Sequence, residues 1–303
     1  LTLSAKTAFV FPGQGAQRLE MIDYAAALPR WPDVHAVLRE VAGLDPVDAV
    51  RRHGEALVRN EISSLLTIGV SIACLGVLGE AGVTPAFTAG YSVGQYAALF
   101  AANALNMETT FSLVWERAQL MNATRAATDG AMLAVVGLDA AVVKRVCSDA
   151  ATLGEPLAIA NDNSPGQMTL AGTRRSIDAA EPLLREAGAY RVVRLTVSGA
   201  WHCELLQPAA VLFAERLAAA DISVPHVPVI DNVTGDFFPD DVAVIKNNLA
   251  AQLTSPVLWQ QGVRRLRQAG AERFVEVGFG DMLTRFGFFI DRGAEHVSWE
   301  RVR

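Results

Sequence analysis

The sequence predicts an α/β fold in two units, a large one and a smaller one set inside it, on three observations. The chain has 303 residues, 51% of them hydrophobic, enough for one large domain or for one carrying an inserted domain. An apolar run at 83–89, broken by Pro85, leads into G-Y-S-V-G (90–94) and then an Ala/Leu-rich segment. Strand, glycine-flanked serine and helix make the G-x-S-x-G elbow of an α/β-hydrolase-like unit. From Gly130 the order becomes β-α-β-β-α-β over roughly 65 residues, the ferredoxin-like arrangement. The expected boundaries are 1–128 with 198–303 for a discontinuous catalytic unit, and 129–197 for the insert.

In chain order, T-A-F-V-F (7–11) reads as a short buried strand entering P-G-Q-G-A-Q (12–17). Glycines on both sides of Gln14 let the backbone approach a neighbour closely. The loop is therefore either a plain strand-to-helix connection or a wall of an active site, offering a backbone N–H and the amides of Gln14 and Gln17. Its spacing fits neither phosphate-loop pattern. Residues 20–62 read as short charged helices, with His35 and His53 on a solvated surface. The most apolar run, 64–78, is short for a membrane span and carries Thr67 and Ser71, so a buried core helix is expected. At the elbow the turn is too tight for side chains at 90 and 94. The helix behind Ser92 supplies N–H groups and partial positive charge where an oxyanion would develop.

Helix 108–124 places Phe111, Val114, Trp115, Ala118 and Met121 on one face. Arg117 falls at the edge of that stripe. It either snorkels from an apolar border or holds a substrate carboxylate bidentately. In the insert, strands at 132–136, 157–160, 167–171 and 190–197 alternate with helices at 140–151 and 177–187, the second ending before Gly188. Asn161 and Asn163, in N-D-N-S-P-G (161–166), are turn formers or else face a cleft between the units. The chain re-enters the large unit through V-S-G-A-W-H-C-E-L (197–205). His202 opens a helix at 205–220, and is either structural or the base that an elbow serine requires. His226 and His296 are weaker candidates, and Cys203 reads as a small packed residue. A strand and turn at 228–235, helical stretches through 251–259 and 262–269, a strand at 274–278 and an edge strand at 297–299 complete the chain. Arg264, Arg265 and Arg267 read as a solvated face.

A net charge of −6 argues against a nucleic-acid partner. Cys74, Cys147 and Cys203 are too widely spaced for a disulfide framework or a metal knuckle, and no H-E-x-x-H cluster occurs, so no metal is expected. The first residues enter a strand without a signal-peptide pattern. A reducing, cytoplasmic compartment and no membrane association are the expectations.

Seven segments in order resemble the malonyl-CoA:acyl-carrier-protein transacylases and the acyltransferase domains of polyketide synthases. They are F-V-F-P-G-Q-G-A-Q (9–17), G-Y-S-V-G-Q-Y-A-A-L (90–99), W-E-R-A-Q-L-M (115–121), N-S-P-G-Q-M-T-L-A-G (163–172), V-S-G-A-W-H (197–202), Q-L-T-S-P-V-L-W (252–259) and F-V-E-V-G (274–278). The resemblance implies Ser92 as acyl-accepting nucleophile and His202 as its base and then acid. It implies the N–H groups of Gln14 and Val93 as oxyanion hole, Arg117 on the malonyl carboxylate, and Gln252 ordering the site near the histidine. A serine–histidine dyad oriented by a carbonyl is expected, without a third carboxylate. The reaction is ping-pong transfer from malonyl-CoA to the phosphopantetheine thiol of an acyl carrier protein. The chain itself needs no cofactor, and a monomer is expected.

The sequence departs from the family's common choices at Tyr91 (histidine), Gln95 (glutamate), Trp201 (a smaller aromatic or small residue) and Phe279 (proline). Trp201, beside the base, is expected to narrow the acyl pocket against a branch at the malonyl C2. Tyr91 and Gln95 leave fatty-acid, polyketide and malonate-decarboxylase roles open. A hydrolase of carrier-bound acyl groups and a non-catalytic carrier-binding module are the competing readings. The sequence does not identify the carrier's docking surface; Arg174, Arg175, Arg191, Arg194 and the 264–267 cluster are the basic groups an acidic carrier could meet.

Overall fold

Five parallel strands form the central sheet of the computed structural model, which describes residues 6–126, 128–151, 155–196 and 199–302. They are β1 (Thr7–Phe11), β2 (Phe87–Gly90), β7 (Val229–Ile230), β8 (Arg273–Glu276) and β9 (Glu295–Ser298), in the order β7-β2-β1-β8-β9. Every residue of β1 is buried, as a strand covered on both faces must be. Between these strands in sequence lie β3 (Gly130–Val136), β4 (Leu157–Ser164), β5 (Gln167–Thr173) and β6 (Arg191–Arg194). These form an antiparallel sheet in the order β4-β5-β3-β6, the ferredoxin-like strand order. The expected boundary at 197/198 lies outside the described residues, as does Val197 of the expected last strand.

The large unit's helices are α1 (Glu20–Ala26), α2 (Trp31–Ala42), α3 (Pro46–Arg52), α4 (Asn60–Glu80), α5 (Gly94–Ala101), α6 (Met107–Ala126), α9 (Gln207–Ala219), α10 (Val242–Ala251), α11 (Trp259–Gln268) and α12 (Met282–Ile290). The small unit adds α7 (Ala140–Ala151) and α8 (Arg174–Glu186). Its own core joins Leu133, Val135, Val143, Leu170, Ile177 and Leu184. α4 is long and apolar enough to cross a bilayer, but 78% of its most apolar window is buried inside the protein. It packs against α2, α5 and α6 as the central helix of the main core.

Three local expectations change. Asn161 and Asn163 belong to β4, where two register irregularities let the strand run to Ser164 before the turn at Pro165 and Gly166. Strand pairing overrides the turn preference of asparagine here. Residues 252–258 are not helical: α10 ends at Ala251 and α11 starts at Trp259. Between them Val257 N donates to Ala160 O (2.9 Å) and Asp162 N donates to Val257 O (3.0 Å), so β4 pairs with the large unit. His35 is partly buried rather than solvated, stacked on Trp31 with Nε2 2.9 Å from Asp45 Oδ1.

Candidate active site

The elbow is built by steric exclusion. A Cβ on Gly90 would sit 2.0 Å from Gly94 O, and one on Gly94 would sit 2.3 Å from Phe11 O. With no side chain tolerated at either position, the chain turns sharply and Ser92 adopts φ 53°, a left-handed conformation. A non-glycine residue pays about 1–3 kcal/mol for such a conformation and keeps it only where its surroundings impose it. His202, with φ 60°, is in the same region.

These two turns bring Ser92 Oγ and His202 Nε2 to 2.7 Å. On the other side of the ring, His202 Nδ1 is 2.8 Å from the backbone carbonyl of Gln252. A carbonyl only accepts, so the proton sits on Nδ1 and the Nε2 lone pair faces the serine hydroxyl. Burial, followed by the nearby Arg117 charge, pushes the His202 pKa down to about 3, so the imidazole is neutral at pH 7. The side chain is a hydrogen-bond acceptor aimed at a hydroxyl, the arrangement general-base activation requires.

Two backbone N–H groups beside Ser92, those of Val93 and Gln14, have no protein acceptor among the described residues. Val93 is the N-cap of α5, where helix geometry leaves N–H groups unpaired. The Gln14 side chain is engaged elsewhere: its Nε2 lies within 3.1 Å of Asn60 O, Asn60 Oδ1, Ser63 Oγ and Ser64 Oγ. It therefore ties the 12–17 loop to the start of α4 and leaves the backbone N–H as the loop's contribution.

Arg117 does not snorkel. It is 2% exposed on α6, with Nη2 donating to Gln252 Oε1 at 3.3 Å. Among the described residues it has no carboxylate partner, and its Nε has no hydrogen-bond partner. Burial lowers its pKa. Of the two readings left open by the wheel, snorkelling is ruled out because α6 is packed on by α2, α4, α5 and α9. A buried guanidinium with unused donors fits an anion; among the described residues no three metal-ligating side chains come together.

Gln252 is the hub. Its Nε2 has two hydrogens for three acceptors: Gln95 Oε1 (2.5 Å), Ser92 O (3.1 Å) and Asn232 Oδ1 (3.1 Å). Gln95 is fully buried and donates to Ile230 O at 3.3 Å, so a neutral amide matches both of its neighbours. Tyr91 donates from its hydroxyl to Asn163 Oδ1 at 2.6 Å, joining the elbow to β4. A cavity of about 430 Å³ opens between the units over Ser92 and His202, with Trp201, Asn161, Asn163 and Met132 among its walls. Met282 and Phe286 of α12 form a further wall. The start of α12 is held by buried Glu276, which accepts from Leu283 N and Thr284 N; burial raises its pKa to about 7. Arg117 and Gln252 are not among the lining residues; Gln252 reaches Ser92 O, and Arg117 reaches Gln252. Trp201 is 6% exposed.

The structure gathers Ser92, His202, Gln14, Val93, Arg117, Gln252 and Trp201 into one site. His226 and His296 are elsewhere; His296 stacks on Phe274. Cys203 is buried and free, its thiol pKa pushed up to about 11 by burial. Sequence reasoning missed Asn232, whose only local signal is that of a turn former after a strand. Most of the surface arginines that an acidic carrier could meet have acidic partners: Arg174 with Asp129, Arg175 with Glu155, Arg194 with Asp178 and Glu181, Arg265 with Asp236 and Arg267 with Asp291.

Known proteins resemble this chain over most of its length. The sequence pattern described as acyl transferase domain matches residues 8–288. Malonyl CoA-acyl carrier protein transacylase of Bacillus subtilis is 38% identical over 288 residues, 92% of this chain and 89% of that protein. The crystal structure of an acyl carrier protein S-malonyltransferase from Vibrio cholerae superposes with TM-score 0.92 at 35% identity, covering 98% of this chain and all of that one. A malonyl-transacylase solved in complex with a type II PKS acyl-carrier protein gives TM-score 0.90 at 32% identity, covering 97% and 94% of the two chains.

Proposed function

Because the chain belongs to the acyl transferase domain family, we propose that it moves a malonyl group from malonyl-CoA to the phosphopantetheine thiol of an acyl carrier protein. The observation that carries the malonyl assignment is Arg117, a buried guanidinium without a carboxylate of its own among the described residues, joined through Gln252 to both Ser92 and His202.

The first half-reaction begins when Ser92 Oγ attacks the thioester carbon while His202 Nε2 takes the hydroxyl proton. The carbonyl oxygen becomes an oxyanion between the N–H groups of Gln14 and Val93, whose acceptors are otherwise missing. The carbon–sulfur bond then breaks, and the departing thiolate takes the proton from the imidazolium to leave as CoA. In the second half, the carrier's thiol gives its proton to His202 and attacks the malonyl-serine ester. The carbon–oxygen bond breaks, Ser92 Oγ recovers the proton, and malonyl leaves on the carrier. Gln252 O holds the ring in one tautomer throughout, and stabilises the imidazolium when it forms. No cofactor of the chain's own takes part; the phosphopantetheine travels with the carrier.

Trp201 narrows the acyl pocket against a C2 branch in this reading, since its indole walls the cavity beside the base. A reducing, cytoplasmic compartment suits three buried cysteines that form no disulfide, and a monomer is the assembly proposed. Intact-protein mass spectrometry after incubation with a panel of acyl-CoAs tests the proposal. It requires a malonyl increment on Ser92, stable for hours in water and discharged on adding carrier protein. Loss of the adduct to water within seconds would instead mark a hydrolase, and no adduct with any thioester a non-catalytic module.

A further inference from the structure

Strand β2 pairs with β7 in parallel register, Thr88 opposite Val229 and Ala89 opposite Ile230. Continued by two residues, that register puts Asn232 opposite Tyr91. The backbone of β7 has already turned away, into a turn in which the Asp231 carboxylate accepts from Val233 N, Thr234 N and Thr234 Oγ1. The side chain of Asn232 continues the ladder in its place. Its Nδ2 donates to Gly90 O at 2.7 Å and its Oδ1 accepts from Ser92 N at 2.9 Å. In a parallel ladder the N–H and C=O of one residue reach the residues before and after its opposite number. The Asn232 amide reproduces that pattern around Tyr91.

The bonded atoms flank the peptide units that set Ser92 at φ 53°. The same Oδ1 lies 3.1 Å from Gln252 Nε2, on the residue whose carbonyl holds His202. Asn232 is 1% exposed, so no solvent competes for these bonds. It also occupies the N–H of Ser92, leaving those of Val93 and Gln14 for an oxyanion.

We propose that Asn232 is a positioning residue for acyl transfer, a side-chain clamp that holds the elbow on both sides of Tyr91 and keeps Ser92 Oγ in line with His202. The proposal rests on Ser92 being the nucleophile.

The test measures single-turnover loading of Ser92 from malonyl-CoA, and separately its reaction with a phosphonofluoridate probe that reports serine reactivity without an acyl substrate. Asn232→Ala should slow both by about 100-fold, the scale of an ångström-sized misplacement, with the malonyl-CoA concentration for half-maximal loading unchanged. Asn232→Asp keeps an acceptor for Ser92 N but has no donor for Gly90 O, and should fall between Ala and the parent. Should Asn232→Ala fail to fold by circular dichroism, the near-isosteric Asp variant decides. Folded variants that react at parental rates, or whose slower loading is matched by an equal rise in the half-saturating concentration, overturn the clamp. A parent that takes up neither malonyl nor phosphonyl on Ser92 overturns the nucleophile reading and the clamp with it; loading of the parent with undiminished variants overturns the clamp alone.

Discussion

Replacing Arg117 with alanine should change which acyl group the protein accepts more than how fast it acylates. Arg117 is 2% exposed, and among the described residues its side-chain acceptor is Gln252 Oε1. A malonyl carboxylate reaching it finds a desolvated cation with unused donors; without Arg117 the same carboxylate is buried unpaired. Stranding one member of a buried ion pair costs about 3–5 kcal/mol, which corresponds to roughly 150- to 5000-fold in kcat/KM for malonyl-CoA. Acetyl-CoA has no carboxylate to strand, so its loading should hold steady or improve. Acetyl loading also serves as the internal control, because Arg117 touches Ser92 through Gln252. If the substitution acted by loosening that amide, both thioesters would slow together. The assay is single-turnover mass spectrometry of Ser92 with each thioester, and the readout is the ratio of the two rates. A malonyl-to-acetyl ratio within about threefold of the parent's, on the hundredfold scale set by a stranded charge, would refute the carboxylate role.

Three more outcomes are expected. With His202 pushed down to about 3, the free enzyme keeps its base neutral through the ordinary histidine range, so kcat/KM should show no acid limb from it near pH 6.5. The unfolded chain does bind a proton at that histidine below about pH 6.5, so His202 should lower stability progressively as pH falls from there towards 3. An acid limb near 6.5 that persists in Glu276→Gln, which removes the other buried group titrating nearby, would contradict this. Trp201→Ala should raise the methylmalonyl-to-malonyl loading ratio by about tenfold or more, the worth of one methyl group in a tight pocket; an unchanged ratio in competition loading would show that the indole does not read the branch. Tyr91→Phe leaves Asn163 Oδ1 without its 2.6 Å donor at a buried position, costing about 1–3 kcal/mol. Calorimetry should show a Tm lower by several degrees with malonyl loading little altered.

The elbow was legible in the sequence because its cause is local: two glycines, one serine, and a strand and helix within a dozen positions. The ferredoxin-like unit was legible for the same reason, its order being written in alternating periodicities. Arg117 was ambiguous because a helical wheel reports an angle and not what covers it. Asn161 and Asn163 were ambiguous because asparagine favours turns until another segment supplies strand partners, as Val257 does. Asn232 was invisible. Its partners are about 140 positions away, at Gly90 and Ser92, and only the register of β2 against β7 brings them opposite. Tyr91 and Gln95 could be seen as departures from the family, but their explanation needed Asn163, Ile230 and Gln252 in space.

The seam between β4 and Val257 makes the two units a single linkage. Val257 is five residues beyond Gln252, on the irregular segment that starts from the carbonyl holding His202. Tyr91, one residue before the nucleophile, is bonded to Asn163 on the same strand. A swing of the small unit that widens the mouth for a carrier's arm must therefore pull on both the serine's turn and the histidine's support. Access to the cavity and alignment of the serine–histidine pair therefore rest on the same set of hydrogen bonds in this fold.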